Sequence, residues 1–445
     1  MESIRSKPFY KLILVSAVVG GLSALQFLLF ILIMTYGQEA IWKGIAGTFG
    51  LAYGTASTFF IIGFCTLGGL LVGLITKLSK VPPHLLVQDL QEYQETGGLN
   101  AKAGWIGMIR GLVGLLFGGS IGPEGPLTGG SGALGTYFAD RAKLPKQVGA
   151  VTTFAGMNGM FSAFIGSVFF LPLVSVEGSG KLNWKLILPA LIAGSVGFGI
   201  YDIITHALYG PIYQFPPYNG FQFAQLFEAL FIGLLGALVG VLFVRFYRVL
   251  KVAIRRFESH PIELAISAGL ILGVVASAFP LVLFDGQNQV NVLILNAATY
   301  GAIFLIGLMF AKLFVTVVCL SFGWNGGYIF PSLLIGSSLG LAVHVIFPIM
   351  PEIVCIACGM TGVSVVLLRS PIAMSILIVG LVGSHLIPVV MIAAVTAFLV
   401  SVGETLLITP SEAKPIVPQI ASKGTSPGHQ VPSSTTDQSS SPSVS

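Results

Sequence analysis

The chain has 445 residues, of which 54% are hydrophobic and only 9% are charged. Soluble domains carry about 25% charged residues, so this composition excludes an ordinary soluble enzyme, a nucleic-acid-binding protein and a disordered scaffold. The mean hydropathy of +0.91 indicates a multi-span α-helical protein in a lipid bilayer. A β-barrel is disfavoured because its strands alternate polar and apolar residues. The 56 glycines suggest helices that approach each other closely.

The N-terminal region predicts the orientation of the chain. Residues 1–10 form a basic segment ahead of an apolar run from Leu12 to Met34. The run is long enough to cross a hydrocarbon core of about 30 Å and longer than the apolar region of a signal peptide. Because basic residues favour the inner side of a membrane, we expect a cytoplasmic N-terminus and a location in the plasma membrane or inner membrane of the cell.

Further apolar runs of uneven length follow, as far as about residue 408. Some, such as 127–139 and 353–368, are too short to span a bilayer, whereas 371–408 is long enough for two or more helices. Such lengths predict tilted and partial helices. Non-helical backbone at membrane depth is tolerated only inside protein or beside a wet cavity, so the interruptions themselves suggest a transport pathway. The polar stretch 80–102 predicts a loop.

The chain divides into a transport domain and a short tail. The transport domain is predicted over residues 11–420, with two halves that meet near 210–222. Residues 421–445 are rich in serine and proline, cannot bury a core and predict a disordered cytoplasmic tail. The four cysteines all lie in apolar runs, which favours buried small side chains over a metal or redox site.

The segment Gly118–Pro126 contains a glutamate between two apolar runs. Glycine and proline end the first helix here, and Pro126 suits the first turn of the next one. A carboxylate inside a membrane costs about 2.5–3.5 kcal/mol and indicates function. The free N–H groups and positive end of a helix would stabilise Glu124, and would equally stabilise a permeating anion. Glu124 is therefore either a gate, whose protonation would link anion passage to pH, or a helix-capping residue.

Two more segments have the same character. Gly323–Pro331 in the second half, and Ser79–Pro83 in the first, each place a break ahead of a proline-initiated helix. Interrupted segments in corresponding halves point to an inverted-repeat transporter with its site near the membrane midplane. Three helix N-termini, with Lys80 beside one of them, favour an anion as the substrate.

These three segments resemble the motifs of the CLC family of chloride channels and chloride/proton antiporters. Gly122–Pro126 resembles the family's G-x-E-G-P motif, Gly327–Pro331 resembles G-x-F-x-P, and Ser79–Pro82 is similar to a degenerate G-S-G-I-P. The resemblance implies an all-α integral membrane protein, built as an inverted repeat of tilted and partial helices. It also implies a homodimer with one pore per subunit, and chloride or another small anion as the transported ligand. His206, His344 and His385 are scattered without ligand spacing, so we expect no metal or cofactor.

The resemblance also assigns roles to residues. Glu124 matches the gating and proton-accepting glutamate, and Ser79 matches the serine that coordinates the central anion. The other residues implied in anion binding supply backbone N–H groups or positive charge: Lys80, Gly122, Gly125, Gly327, Tyr328 and Ile329.

The sequence departs from the family pattern at several of these positions. Pro123 stands where a basic residue is common, which removes one charge and one backbone donor. Ile329 replaces the motif's phenylalanine, and Val417 aligns with a tyrosine that usually coordinates the central anion. Lys80 replaces a glycine, and it either raises the local affinity for anions or extends to the membrane interface.

The proton pathway shows the largest departure. Antiporter members carry an internal acidic residue where this chain reads Leu171–Val176, without an acid. Glu177 is the nearest candidate for an internal proton acceptor; otherwise the relay is absent.

The expected function is chloride or halide transport through a Glu-gated pathway, channel-like or weakly proton-coupled. A fully coupled chloride/proton antiporter is one alternative. A secondary carrier of a small organic anion is another, for which Asn325 is the only broken-helix residue resembling a coupling-ion ligand. A membrane enzyme is disfavoured, because the spans contain neither G-x-S-x-G nor paired aspartates.

Overall fold

The computed structural model describes residues 7–45, 58–205, 213, 215, 218, 220–296, 299–404 and 406. Val417, the predicted tail 421–445 and most of the predicted boundary 210–222 lie outside the described residues. The first half contains eight α-helices: α1 (Lys7–Glu39), α2 (Thr58–Ser79), α3 (Leu86–Thr96), α4 (Ala101–Leu116), α5 (Glu124–Arg141), α6 (Lys146–Ile165), α7 (Phe170–Ser179) and α8 (Trp184–Thr205). The second half contains eight more: α9 (Gln225–Ile254), α10 (Pro261–Ala278), α11 (Gln287–Leu295), α12 (Ala302–Ser321), α13 (Ile329–Ile346), α14 (Glu352–Leu368), α15 (Pro371–Val382) and α16 (Ile387–Val400).

The two sets of helices repeat one plan. Their lengths run 33, 22, 11, 16, 18, 20, 10 and 22 residues in the first half. In the second half they run 30, 18, 9, 20, 18, 17, 12 and 14 residues. Equivalent helices pack alike: α1 contacts α6 and α8 as α9 contacts α14 and α16, and α4 packs on α5 as α12 packs on α13. The predicted inverted repeat of full and partial helices is therefore confirmed.

Eight of the described helices are long and apolar enough to cross a membrane. Others are shorter, among them α15 and α16, which divide the long apolar run 371–408 as expected. The predicted loop 80–102 is wrong in part, because it contains α3. Leu86, Leu90 and Tyr93 are buried on one side of that short helix, a spacing of one helical face that its many polar residues conceal.

Helices α2 and α10, one from each half, cross with their backbones in direct contact. A Cβ atom on Gly73 would lie 2.6 Å from the Cα atom of Ile262. In the equivalent position of the other half, a Cβ on Gly273 would lie 2.6 Å from the Cα of Ile62. Each of these glycines follows another glycine four residues earlier, which is the small-xxx-small pattern of close helix packing. Part of the glycine excess is thus explained by this seam between the halves.

The interrupted helices meet at the centre of the molecule. The loop before α5 and the loop before α13 lie antiparallel, with Gly122 N–H donating to Gly327 O at 2.8 Å and Gly327 N–H donating to Gly122 O at 2.7 Å. Helices α5 and α13 therefore begin side by side. Their first N–H groups, which have no partner within their own helices, are directed into one buried region.

Candidate functional site

Glu124 lies in this central region. It is the first residue of α5 and is fully buried. Its carboxylate Oε1 accepts a hydrogen bond of 2.5 Å from the backbone N–H of Ile329, the first residue of α13. The second oxygen, Oε2, is buried and has no hydrogen-bond partner among the described residues. The carboxylate thus occupies the positive end of a helix from the opposite half of the chain.

The carboxyl group fits only because two neighbours are glycines. An ideal Cβ atom on Gly122 or on Gly327 would overlap the Glu124 carboxyl group. Gly125 allows a similarly close approach, since a Cβ atom added there would lie 2.7 Å from the carbonyl carbon of Gly326. Glycine at these positions allows the two loops and the glutamate to share one small volume.

Tyr328 is buried in the same region. Only 1% of its surface is exposed, and its hydroxyl group has no hydrogen-bond partner within the described part of the chain. The structure therefore brings together six of the predicted residues around one point: Gly122, Glu124, Gly125, Gly327, Tyr328 and Ile329.

Ser79 and Lys80 form a second group at the end of α2. The Ser79 hydroxyl donates to the carbonyl oxygen of Thr76 at 3.4 Å and accepts the N–H of Val81 at 3.3 Å. Lys80 is exposed and adopts a φ of 57°, in the left-handed region that favours glycine. The backbone thus keeps the glycine-like conformation of the motif even though a lysine stands there.

A cavity of about 410 Å³ opens beside Lys80, which we call the Lys80 cavity. Lys251, Glu258 and Ser321 also line it. The ammonium group of Lys251 pairs with Glu258 at 2.9 Å, whereas Lys80 has no ion-pair partner among the described residues. Lys80 therefore contributes an unpaired positive charge to this cavity.

Arg110 in α4 is a candidate that the sequence reasoning missed. Its side chain is fully buried, and Nη2 donates to the Val81 carbonyl oxygen at 2.8 Å. Nε and Nη1 have no hydrogen-bond partner in the described residues. A buried guanidinium with free donors is well suited to bind an anion. The signal was a single arginine inside the apolar run 104–119, since a charge in such a run indicates function.

Asn325 connects the second group to the central region. Its Oδ1 accepts the backbone N–H of His84 at 3.0 Å. The segment that follows α2 is thereby held against the loop that precedes α13. The segments Ser79–Pro83 and Gly323–Pro331 are therefore neighbours, and the Asn325 amide has a structural role between them.

Glu177 lies in the last turn of α7, just after the stretch Leu171–Val176 where antiporter members carry an acid, and it binds another helix. Its two carboxylate oxygens accept the N–H groups of Ile372 at 2.7 Å and Ala373 at 3.0 Å. These are the second and third residues of α15, so Glu177 caps that helix at its N-terminus. Its role as an internal proton acceptor stays a prediction.

Lys312 and the four cysteines have structural partners or surroundings. Lys312 in α12 donates to the carbonyl oxygens of Val282 at 2.9 Å and Phe284 at 2.6 Å. All four cysteines are free and buried, as expected from their apolar surroundings.

An inverted repeat of partial helices, with two helix N-termini directed at one buried carboxylate, defines a multi-pass membrane transport protein with an anion site. Comparisons with known proteins place it more narrowly. The profile of the family described as "Voltage gated chloride channel" matches residues 68–402. The chain belongs to this family, the CLC family of anion transport proteins.

Similar proteins include those called "Putative ion-transport protein YfeO" in Salmonella paratyphi A and Salmonella typhimurium. Each is 25% identical over 411 residues, which cover 91% of this chain and 97% of the relative. Among solved structures, a slow cyanobacterial Cl−/H+ antiporter has a TM-score of 0.76 at 18% identity, covering 91% of this chain and 96% of that one. A CLC-type fluoride/proton antiporter has a TM-score of 0.72 at 21% identity, covering 90% and 98%. These structures share the fold.

Proposed function

We propose that the protein transports chloride or another halide across a membrane, along a pathway gated by Glu124. The observation that carries the proposal is the hydrogen bond between the Glu124 carboxylate and the N-terminus of α13. A carboxylate is itself an anion, so a site that holds it by a backbone N–H can hold a halide by the same interaction. The glutamate and the transported ion then compete for one position.

The gate has a simple physical basis. With the charged carboxylate seated between Gly122 and Gly327, the position is filled. When the side chain swings away, or is protonated and binds the N–H less strongly, the position becomes free for a halide. Protonation of Glu124 would therefore increase anion passage.

Two positive charges attract anions to the end of the pathway formed by the Ser79–Pro83 segment. Arg110 and Lys80 both lie next to the Ser79–Pro83 segment, and neither pairs with a carboxylate in the described part of the chain. A narrow site with charges of one sign raises the local concentration of the opposite ion.

We place the Lys80 cavity on the cytoplasmic side. Lys251 lines it and belongs to a basic cluster at the end of α9, whose members are Arg245, Arg248, Lys251, Arg255 and Arg256. Basic residues near the ends of spans favour the cytoplasmic side, which agrees with a cytoplasmic N-terminus. We also propose that the protein is a homodimer with one pathway in each subunit, which a subunit count in mild detergent by light scattering would test.

Proton coupling distinguishes two versions of the proposal. The acid-free stretch Leu171–Val176 and the engagement of Glu177 with α15 favour a channel or a weakly coupled transporter. The fold neighbours described as Cl−/H+ and fluoride/proton antiporters favour full coupling. In the coupled version Glu177 would pass protons from the inside.

The test is to reconstitute the protein in liposomes and to record chloride efflux and proton uptake together. We expect chloride efflux, with little proton uptake driven by the chloride gradient. The variant Glu124→Ala is expected to keep the efflux and lose its response to pH, while Glu95→Ala, an exposed acid on α3, serves as the matched control. Absence of anion flux in every protein would reject the proposal. Stoichiometric proton uptake lost in Glu124→Ala and in Glu177→Ala would establish the coupled alternative.

A further inference from the structure

Three side chains around α3 form a cluster beside the proposed anion pathway. His84 lies just before α3, and Asp89 and Glu92 lie one turn apart on it. One imidazole nitrogen and one oxygen from each carboxylate all lie within 4.8 Å of one another. His84 Nδ1 and Asp89 Oδ1 lie 3.7 Å apart. Residues three apart on a helix share a face, so the two carboxylates converge on the imidazole.

Asp89 is the member of the cluster that most needs a counter-ion. Only 7% of its surface is exposed, and its carboxylate accepts no hydrogen bond from the described residues. A buried carboxylate without a partner is expensive, and a bound cation would remove that cost.

The framework around the cluster is held in place. The backbone N–H of His84 is fixed by Asn325 at 3.0 Å, and one oxygen of Glu92 accepts the N–H of Asn100 at 2.9 Å. Tyr93, on the buried side of α3, donates its hydroxyl to the Ala150 carbonyl at 3.0 Å. Ligands on a rigid, packed element are the arrangement that a metal site requires.

We propose that His84, Asp89 and Glu92 form a binding site for one divalent transition-metal cation of the zinc type. One imidazole nitrogen with two carboxylate oxygens is a ligand set that zinc accepts, with a fourth position left for water. The two carboxylates outweigh the single positive charge of Arg110, which lies near His84. The site adds a cation to a protein otherwise argued to bind anions, and its test does not depend on transport.

The test uses the full chain, purified in detergent and treated with a chelator. Zn²⁺ is titrated calorimetrically, and Co²⁺ is used as a spectroscopic probe of the ligands. We expect one Zn²⁺ per chain, and a Co²⁺ spectrum without thiolate bands. His84→Gln, Asp89→Asn and Glu92→Gln should each bind Zn²⁺ at least about tenfold more weakly, since even groups behind the ligands are worth that much. Glu95→Gln, an exposed residue of the same helix, should bind as the wild type does.

Two results would overturn the proposal. One is wild-type binding that is not stoichiometric, or that is no tighter than in the three ligand variants. The other is a Co²⁺ spectrum with thiolate bands, which would assign the ion to cysteines. Each variant is first checked by size-exclusion chromatography. If Asp89→Asn is not monodisperse, the half-buried Glu92 decides the question, because Glu92→Gln keeps the shape of its side chain.

Discussion

The carboxylate of Glu124 and the backbone N–H of Ile329 join the two halves of the molecule at the centre of the repeat. Each residue is the first of its helix, α5 in one half and α13 in the other. The side chain from one repeat therefore fills the helix N-terminus of the other. The sequence left two interpretations of Glu124 open, a helix cap and a gate. The two are compatible, because the Glu124 side chain caps α13, and its movement would leave the N-terminus of α13 free.

Glu124→Gln should remove the pH dependence of anion flux. The amide has the same shape but no charge, so it competes with a halide for the Ile329 N–H much less strongly. We expect chloride efflux from liposomes at least equal to that of the wild type and constant with pH, whereas the wild type rises as pH falls. A variant that keeps the wild-type pH response would contradict the gate.

Gly327→Ala should act like removal of the gate. The added Cβ overlaps the position of the Glu124 carboxyl group, so the side chain cannot remain seated. We expect faster chloride efflux with a weaker pH response. The matched test is the double variant with Glu124→Ala. If the glycine acts only through the glutamate, the alanine adds nothing in that background; an additive change would assign the effect to backbone distortion.

Arg110→Gln should weaken anion binding without destabilising the protein. Removing an unpaired buried guanidinium leaves no carboxylate uncompensated, so the melting temperature should stay the same or rise. Chloride affinity, measured calorimetrically, should fall about tenfold, which corresponds to about 1.4 kcal/mol. Lys102→Gln, an exposed change in the same helix, is the control. Unchanged chloride affinity in Arg110→Gln would remove this residue from the site.

Gly273→Ala should destabilise the protein through the seam between the halves. Its Cβ would lie 2.6 Å from the Ile62 Cα atom, and overpacking of this kind costs about 1–3 kcal/mol. Gly63→Ala in α2 is the control, because its Cβ would meet nothing within 4 Å. Thermal unfolding in detergent should give a lower melting temperature for Gly273→Ala alone. Equal melting temperatures for the two variants would show that the seam tolerates separation.

The sequence was sufficient to locate the breaks, because clusters of glycine and proline between apolar runs favour helix ends. It predicted the repeat and placed Glu124 at a helix start. It could not predict that Glu124 binds Ile329, since that contact depends on how two distant loops pair. Arg110 was marked in the sequence only as a single charge in an apolar run, and the many polar residues of α3 concealed its buried face. In both cases the burial results from contacts with distant parts of the chain, which the local sequence does not show.

The seam at Gly73 and Gly273 limits the motions available to the transporter. Many carriers work by rocking one repeat against the other about a fixed site, which requires an interface that can slide or open. Here the backbones of equivalent helices touch without side chains between them, so any rocking would drive peptide groups into each other. We expect the two repeats to move as one rigid unit. Under the proposed function, we expect the moving part to be the Glu124 side chain, so that a change of rotamer, and not a domain rearrangement, sets the turnover.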